Sequence, residues 1–100
     1  LATFPELTAV VCTTDSMALG VLAAYGNRVP RELSVTGFDG IESAVNKGLT
    51  TVAQPNHQKG EAAAVLLRAL LAGRPTGADR LLLETDFIVG RSVAAPRQAL

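Results

Sequence analysis

One hundred residues make one modest domain or a piece of a larger one, and a chain of that size buries ~60–70% of the surface it exposes when unfolded. Apolar residues reach 48% and charged residues only 18%, with 16 Ala, 14 Leu and 10 Val against four aromatics and no Trp; that balance excludes disorder, collagen and a disulfide scaffold. Nine basic and nine acidic residues cancel, and the basic ones fall singly, so the chain lacks the basic face with which a nucleic-acid-binding module neutralises phosphates.

The elements follow in order. Thr8–Cys12 is a short continuous apolar run, the pattern of a strand covered on both faces. Thr13-Thr14-Asp15-Ser16 can all accept from helix-terminal N–H groups, and Asp15 reads as the N-cap of a helix. That helix runs from Ser16 to Tyr25 with Ala18, Val21, Leu22 and Tyr25 on one stripe, and Gly26-Asn27 stops it. Leu33–Phe38 predicts a second strand, Glu42–Asn46 a short helix and Leu49–Ala53 a third extended piece. Asn56–Ala72 is the clearest helix, apolar at Ala62, Val65, Leu66, Ala69 and Leu70 and ended by Gly73 and Pro75. Leu81–Val89 predicts a last strand before a polar tail. The β-α-β-α-β-α-β order gives an α/β class: a parallel sheet with helices on both faces.

In such sheets ligands bind beyond the carboxyl ends of the strands. Three loops qualify: Thr13-Thr14-Asp15, Phe38-Asp39-Gly40 and Gln54-Pro55-Asn56. Their hydroxyls, carboxylate and carboxamides suit bidentate bonds to vicinal hydroxyls or a base edge, with Phe38 as a flat wall. Pattern alone equally allows Asp39 an ordinary turn, Gln54 and Asn56 a capping role and Phe38 a place in the core. Reaction chemistry is unsupported. There is no Gly-x-Ser-x-Gly elbow, no metal-ligand spacing and no phosphate or dinucleotide loop, so neither an enzyme nor a cofactor is expected. His57, the one histidine, reads as solvent-facing; Cys12, the one cysteine, reads as a small core residue compatible with a reducing cytosol. No apolar stretch approaches the ~20 residues of a membrane span. The chain opens on Leu1 rather than Met, in what reads as a loop, and a preceding segment is expected.

Four strings together carry a resemblance. Thr8 to Gly20 resembles "P-T-A-…-N-D-x-M-A-x-G", and Val29 to Asp39 resembles "V-P-x-D-…-S-V-x-G-F/Y-D". Leu49 to Pro55 matches "L-T-T-V-x-Q-P", followed by Gly60 and Ala63 of "G-x-x-A", and Leu83 to Ser92 resembles "L-x-x-x-…-V-x-R-x-S". In this order and spacing they are similar to the lactose/galactose repressor (LacI/GalR) family of bacterial transcription regulators, over nearly the whole chain.

The resemblance implies the last third of a two-lobed effector domain, itself similar to periplasmic sugar-binding proteins (type I). Residues 1–51 and 81–92 would belong to the C-terminal lobe, and the helix within 55–75 would pack on the N-terminal lobe. Taken alone, the chain would then expose that helix's inner face or cover it with another copy. Asp39 falls where the family places an effector-binding carboxylate, and Gln54 at another effector-lining position; Phe38 would be a pocket wall. Thr14 replaces a usual Asn and Asn56 a usual aromatic. The segment Ala18 to Gly26 is one that the family uses for dimer contact, here through Ala18, Leu19, Leu22 and Ala23, and a helix apolar on both sides needs two partners. The implied partners are a small effector (sugar or nucleoside-like), a second copy, and DNA through an N-terminal helix-turn-helix outside this chain; no membrane is implied. The implied location is cytoplasmic. The alternative is a periplasmic sugar-binding protein of a transporter.

Overall fold

The computed structural model describes residues 1–77 and 80–98. They form two compact units, Leu1–Ala53 with Phe87–Leu100, and Gln54–Asp86.

In the first unit, β1 (Ala9–Val11) pairs in parallel with β2 (Ser34–Thr36), Val10 opposite Val35. Single parallel bridges, Thr36 to Thr50 and Asp39 to Ala53, join β2 to β3 (Thr51–Ala53), and β4 (Asp86–Ile88) neighbours β3. The connections are α1 (Asp15–Tyr25) and α2 (Glu42–Asn46). This is the expected parallel α/β arrangement. Strands this short hold because each is stitched to its neighbour beyond the regular ladder: the Cys12 amide donates to the Thr36 carbonyl at 2.9 Å and the Gly37 amide to the Thr50 carbonyl at 3.1 Å.

Cys12, Ala18, Leu33, Val35, Ala44 and Leu49 make one buried cluster, ringed by Val10, Leu19, Val21, Leu22, Tyr25, Val29 and Ile41. The predicted stripe of α1 therefore faces inward, and α1 and α2 share this core. Each fully buried Leu or Val contributes about 1.5–3 kcal/mol. The expectation that the first strand is covered on both faces is corrected: Val10 points at the core, but Val11, on the alternate face, is 80% exposed. Phe87 on β4 is likewise 69% exposed.

The tail beyond β4 was legible in the sequence only as polar. It straps the strand bases together. Ser92, buried, donates from Oγ to the Val35 carbonyl at 2.5 Å and accepts from the Thr50 amide at 2.8 Å. Its own carbonyl accepts from the Val35 amide at 2.8 Å, and Ser34 exchanges bonds with both backbone groups of Ala94. Arg97 donates to the carbonyls of Pro5, Leu7 and Glu32. Ser92→Ala leaves a buried amide and a buried carbonyl short of a partner, so it is expected to lower unfolding free energy by about 2 kcal/mol in a urea titration.

The second unit is α3 (Asn56–Leu71) and the segment that follows it. None of its helical residues is fully buried; Ala62, Leu66 and Ala69 are half-buried, while Val65, Leu70 and Leu71 are exposed. The predicted strand Leu81–Val89 shrinks to Asp86–Ile88, because an extended apolar run becomes a strand only where another backbone pairs with it. Leu82, before the pairing begins, is 97% exposed.

Candidate functional site

Thr14 is the N-cap of α1, not Asp15: its φ and ψ are extended (−141° and 155°) and its Oγ1 accepts from the Met17 amide at 3.2 Å. Asp15 lies one residue inside the helix and is wholly buried. Its Oδ2 accepts from the amides of Gly40 and Ile41 at 2.8 and 2.9 Å, and its Oδ1 from the Thr51 hydroxyl at 2.5 Å. One carboxylate thus ties the tips of β1 and β2 to β3.

Glycine is required at two places around this knot. A Cβ on Gly37 would stand 2.3 Å from Asp15 Oδ1, and one on Gly40 would stand 2.5 Å from the Cα of Ala53. Gly40 also has a φ of +79°. Between them, Phe38 is 38% exposed and gives its carbonyl to the Asp15 amide at 2.9 Å. Asp39 is half-buried and is the only non-glycine residue with positive φ among the described residues, at +138°. Its amide donates to the Val52 carbonyl at 2.9 Å. Backbone held in so sparsely populated a region costs about 1–3 kcal/mol and concentrates at functional sites.

Beside this knot lies a hollow of about 410 Å³, whose walls include Val11, Thr13, Phe38, Val52 and Phe87. It is mostly apolar, the lining that suits one flat face of a small ligand. Cys12 also borders it; burial pushes its thiol pKa up, which leaves it a packing residue rather than a nucleophile. No group of His, Cys, Asp or Glu among the described residues could hold a metal ion.

Gln54 and Asn56 belong to the second unit. There Gln54 Oε1 accepts from Lys59 Nζ at 2.5 Å, and Asn56 is the first residue of α3, with no side-chain cap at that end. They border a polar groove of about 570 Å³ with His57, Glu84 and Asp86. His57 is exposed, as expected, and meets Glu61 one turn on at 2.8 Å.

The dimer-contact residues divide. Ala18 has no exposure at all and serves the core, so its assignment to a contact surface is corrected; it lies on the inward stripe of α1. Leu19 and Leu22 are half-buried and Ala23 is exposed.

The bracing role of Asp15 was missed in the sequence, where it read as a cap. Two signals could have found it: Thr14 is itself a good cap, leaving Asp15 without that task, and glycines three apart in the second loop make room for an incoming side chain.

Comparison with known proteins agrees with this geometry. A family model described as a periplasmic binding protein-like domain matches residues 2–93. An HTH-type transcriptional regulator of Mycobacterium tuberculosis is 43% identical over 96 residues, covering 92% of this chain and 26% of the relative. A LacI-family regulator from Corynebacterium glutamicum superposes with a TM-score of 0.84 at 42% identity, covering 94% of this chain and 28% of that one. The transcriptional regulator CelR in complex with cellobiose gives a TM-score of 0.77 at 35% identity, with 92% and 30% covered. The chain spans about a quarter of the length of the curated relatives it matches. No described helix is long and apolar enough to cross a membrane. With parallel strands, ligand-type loops at their carboxyl tips and a family match over nearly its whole length, the chain belongs to the periplasmic binding protein-like domain family, and its relatives are LacI-type transcriptional regulators.

Proposed function

We propose that this chain is the C-terminal part of the effector-sensing domain of a LacI-type, DNA-binding regulator, and that it binds a small polar molecule, a sugar or a nucleoside-like compound. The observation that carries the reading is Asp39: a half-buried aspartate at a strand tip, its backbone strained and held on both flanks, next in sequence to Phe38, which borders the apolar hollow. Residue Gln54 follows in sequence directly after Ala53, the residue bridged to Asp39. Asp39, Phe38 and Thr14 in the first unit and Gln54 and Asn56 in the second are the residues assigned to effector binding, with residues 1–51 and 81–92 assigned to one lobe and the helix within 55–75 to packing on the other lobe. Similarity to a regulator seen with cellobiose supports a sugar. The resemblance to regulators, rather than to transport proteins, favours action on DNA in the cytoplasm over the periplasmic alternative and over enzymatic turnover.

Mechanistically, an effector shifts a two-state lobe equilibrium only by the difference in its affinity for the two states. A second copy docked on α1 at the half-buried Leu19 and Leu22 and the exposed Ala23 would carry that shift to DNA-binding heads outside this chain. The test is a thermal-shift screen of mono- and disaccharides and nucleosides on the protein as its gene encodes it. At 100-fold over its Kd an effector adds about 2.7 kcal/mol of stability. One class of compound is expected to raise Tm, and Asp39→Ala to remove the rise; a rise that survives Asp39→Ala takes Asp39 out of the site.

A further inference from the structure

We propose that Asp15 is a positioning residue for Asp39, acting through backbone amides without touching the ligand; the inference rests on the effector reading above. Asp15 has no solvent exposure, so no bound molecule reaches it. What it does reach is the chain immediately after Asp39: both oxygens are occupied, by the Gly40 and Ile41 amides on one side and the Thr51 hydroxyl on the other. Asp39 is therefore gripped at two points, its own amide on the Val52 carbonyl and the next two amides on Asp15. An L-residue at a φ of +138° relaxes to the ordinary region unless both flanks are fixed. The grip sets the direction of the Cα–Cβ bond of Asp39 and so pre-organises its carboxylate, which spares the ligand the entropy of ordering it. Gly37 completes the device, since a Cβ there would occupy the place of Asp15 Oδ1. The whole assembly lies within the first unit.

Thr51→Val tests this in the protein as its gene encodes it, because it removes one of the three donors and preserves the shape of the side chain. Thr51→Ser, which returns the hydroxyl, is the rescue, and Asp39→Ala is the reference. Asp15→Asn replaces Thr51→Val if the latter does not fold. Two readouts are taken: hydrogen exchange of the Gly40 and Ile41 amides against that of the β1–β2 ladder, and the affinity for cellobiose, glucose and adenosine as probes. The expected result for Thr51→Val is exchange at Gly40 and Ile41 faster by about fivefold or more with the ladder unchanged. Affinity for whichever probe binds the wild type should weaken by about three- to tenfold, and both effects should revert in Thr51→Ser. A purely structural role would loosen the loop and leave affinity untouched although Asp39→Ala weakens it, and that result overturns the proposal. So does unchanged exchange at Gly40 and Ile41, whatever Asp39→Ala does, and so does a failed rescue. Loosened exchange together with wild-type probe binding in Asp39→Ala rejects the effector reading and keeps the brace.

Discussion

Asp15→Ala is expected to lower the unfolding free energy of the chain by about 3 kcal/mol. Three donors lose their acceptor at once: two backbone amides and the hydroxyl of Thr51, which is 1% exposed. A buried donor left without a partner costs about 1–3 kcal/mol, and the half-buried setting of Gly40 and Ile41 places their share at the lower end. Loss of a helix cap does not account for such a figure, because that task belongs to Thr14; a cap alone is worth about 1 kcal/mol. Equilibrium unfolding in urea separates the two roles. If Asp15→Ala and Thr14→Ala lose the same 1 kcal/mol or so, the carboxylate is an ordinary first-turn residue and the knot is of no consequence. For a domain of this size the expected loss corresponds to a fall in Tm of roughly 10–20 °C.

The reason that Asp15 escaped a sequence reading is the distance along the chain to its partners: 25, 26 and 36 residues. Helices such as Glu42–Asn46 and Asn56–Leu71 were legible because their period and stop signals are local. Ser92 is invisible in the same way as Asp15, its partners lying 42 and 57 residues back. The last strand was overdrawn for the complementary reason: Leu81-Leu82-Leu83 has the composition of a strand, but pairing with β3 begins only at Asp86. The strand-tip loops were legible as loops of ligand-binding type. Nothing local distinguishes a strained Asp39 from a turn aspartate, since Gly40 next to it offered the obvious seat for a positive φ. Its importance was read from the family strings, and its geometry only from the fold.

That geometry divides the work at the site between residues that meet solvent and residues that do not. Asp39 and Phe38 are partly open, whereas Asp15, Thr51 and Gly37 behind them are buried. On the proposed effector reading, the rear layer would serve any ligand, because it fixes backbone, and the front layer would select among ligands, because it would supply the groups they meet. Two departures from the family pattern, Thr14 and Asn56, fall among the proposed effector residues, while the Gly-Phe-Asp string keeps its form. Changing the preferred effector while retaining the frame that presents it needs only such front-layer changes.

Asp39→Gly should reverse the usual sign of a site mutation: a more stable chain that no longer responds. Relief of a φ of +138° returns about 1–3 kcal/mol. The greater freedom of glycine in the unfolded chain takes back about 0.5–1 kcal/mol, and the net gain from the backbone is about 1 kcal/mol. The carboxylate is lost at the same time. A hydrogen bond to a charged group contributes about 1.5–3 kcal/mol, so affinity for the effector should fall by roughly 10- to 100-fold. Denaturation midpoints with and without the effector measure both terms on one protein. In its absence Asp39→Gly should unfold at higher urea than the wild type, and in its presence the order should invert. A variant that is destabilised without effector would mean that the +138° backbone is no burden to the fold. One that is stabilised and still responds would mean that the strain serves some end other than binding.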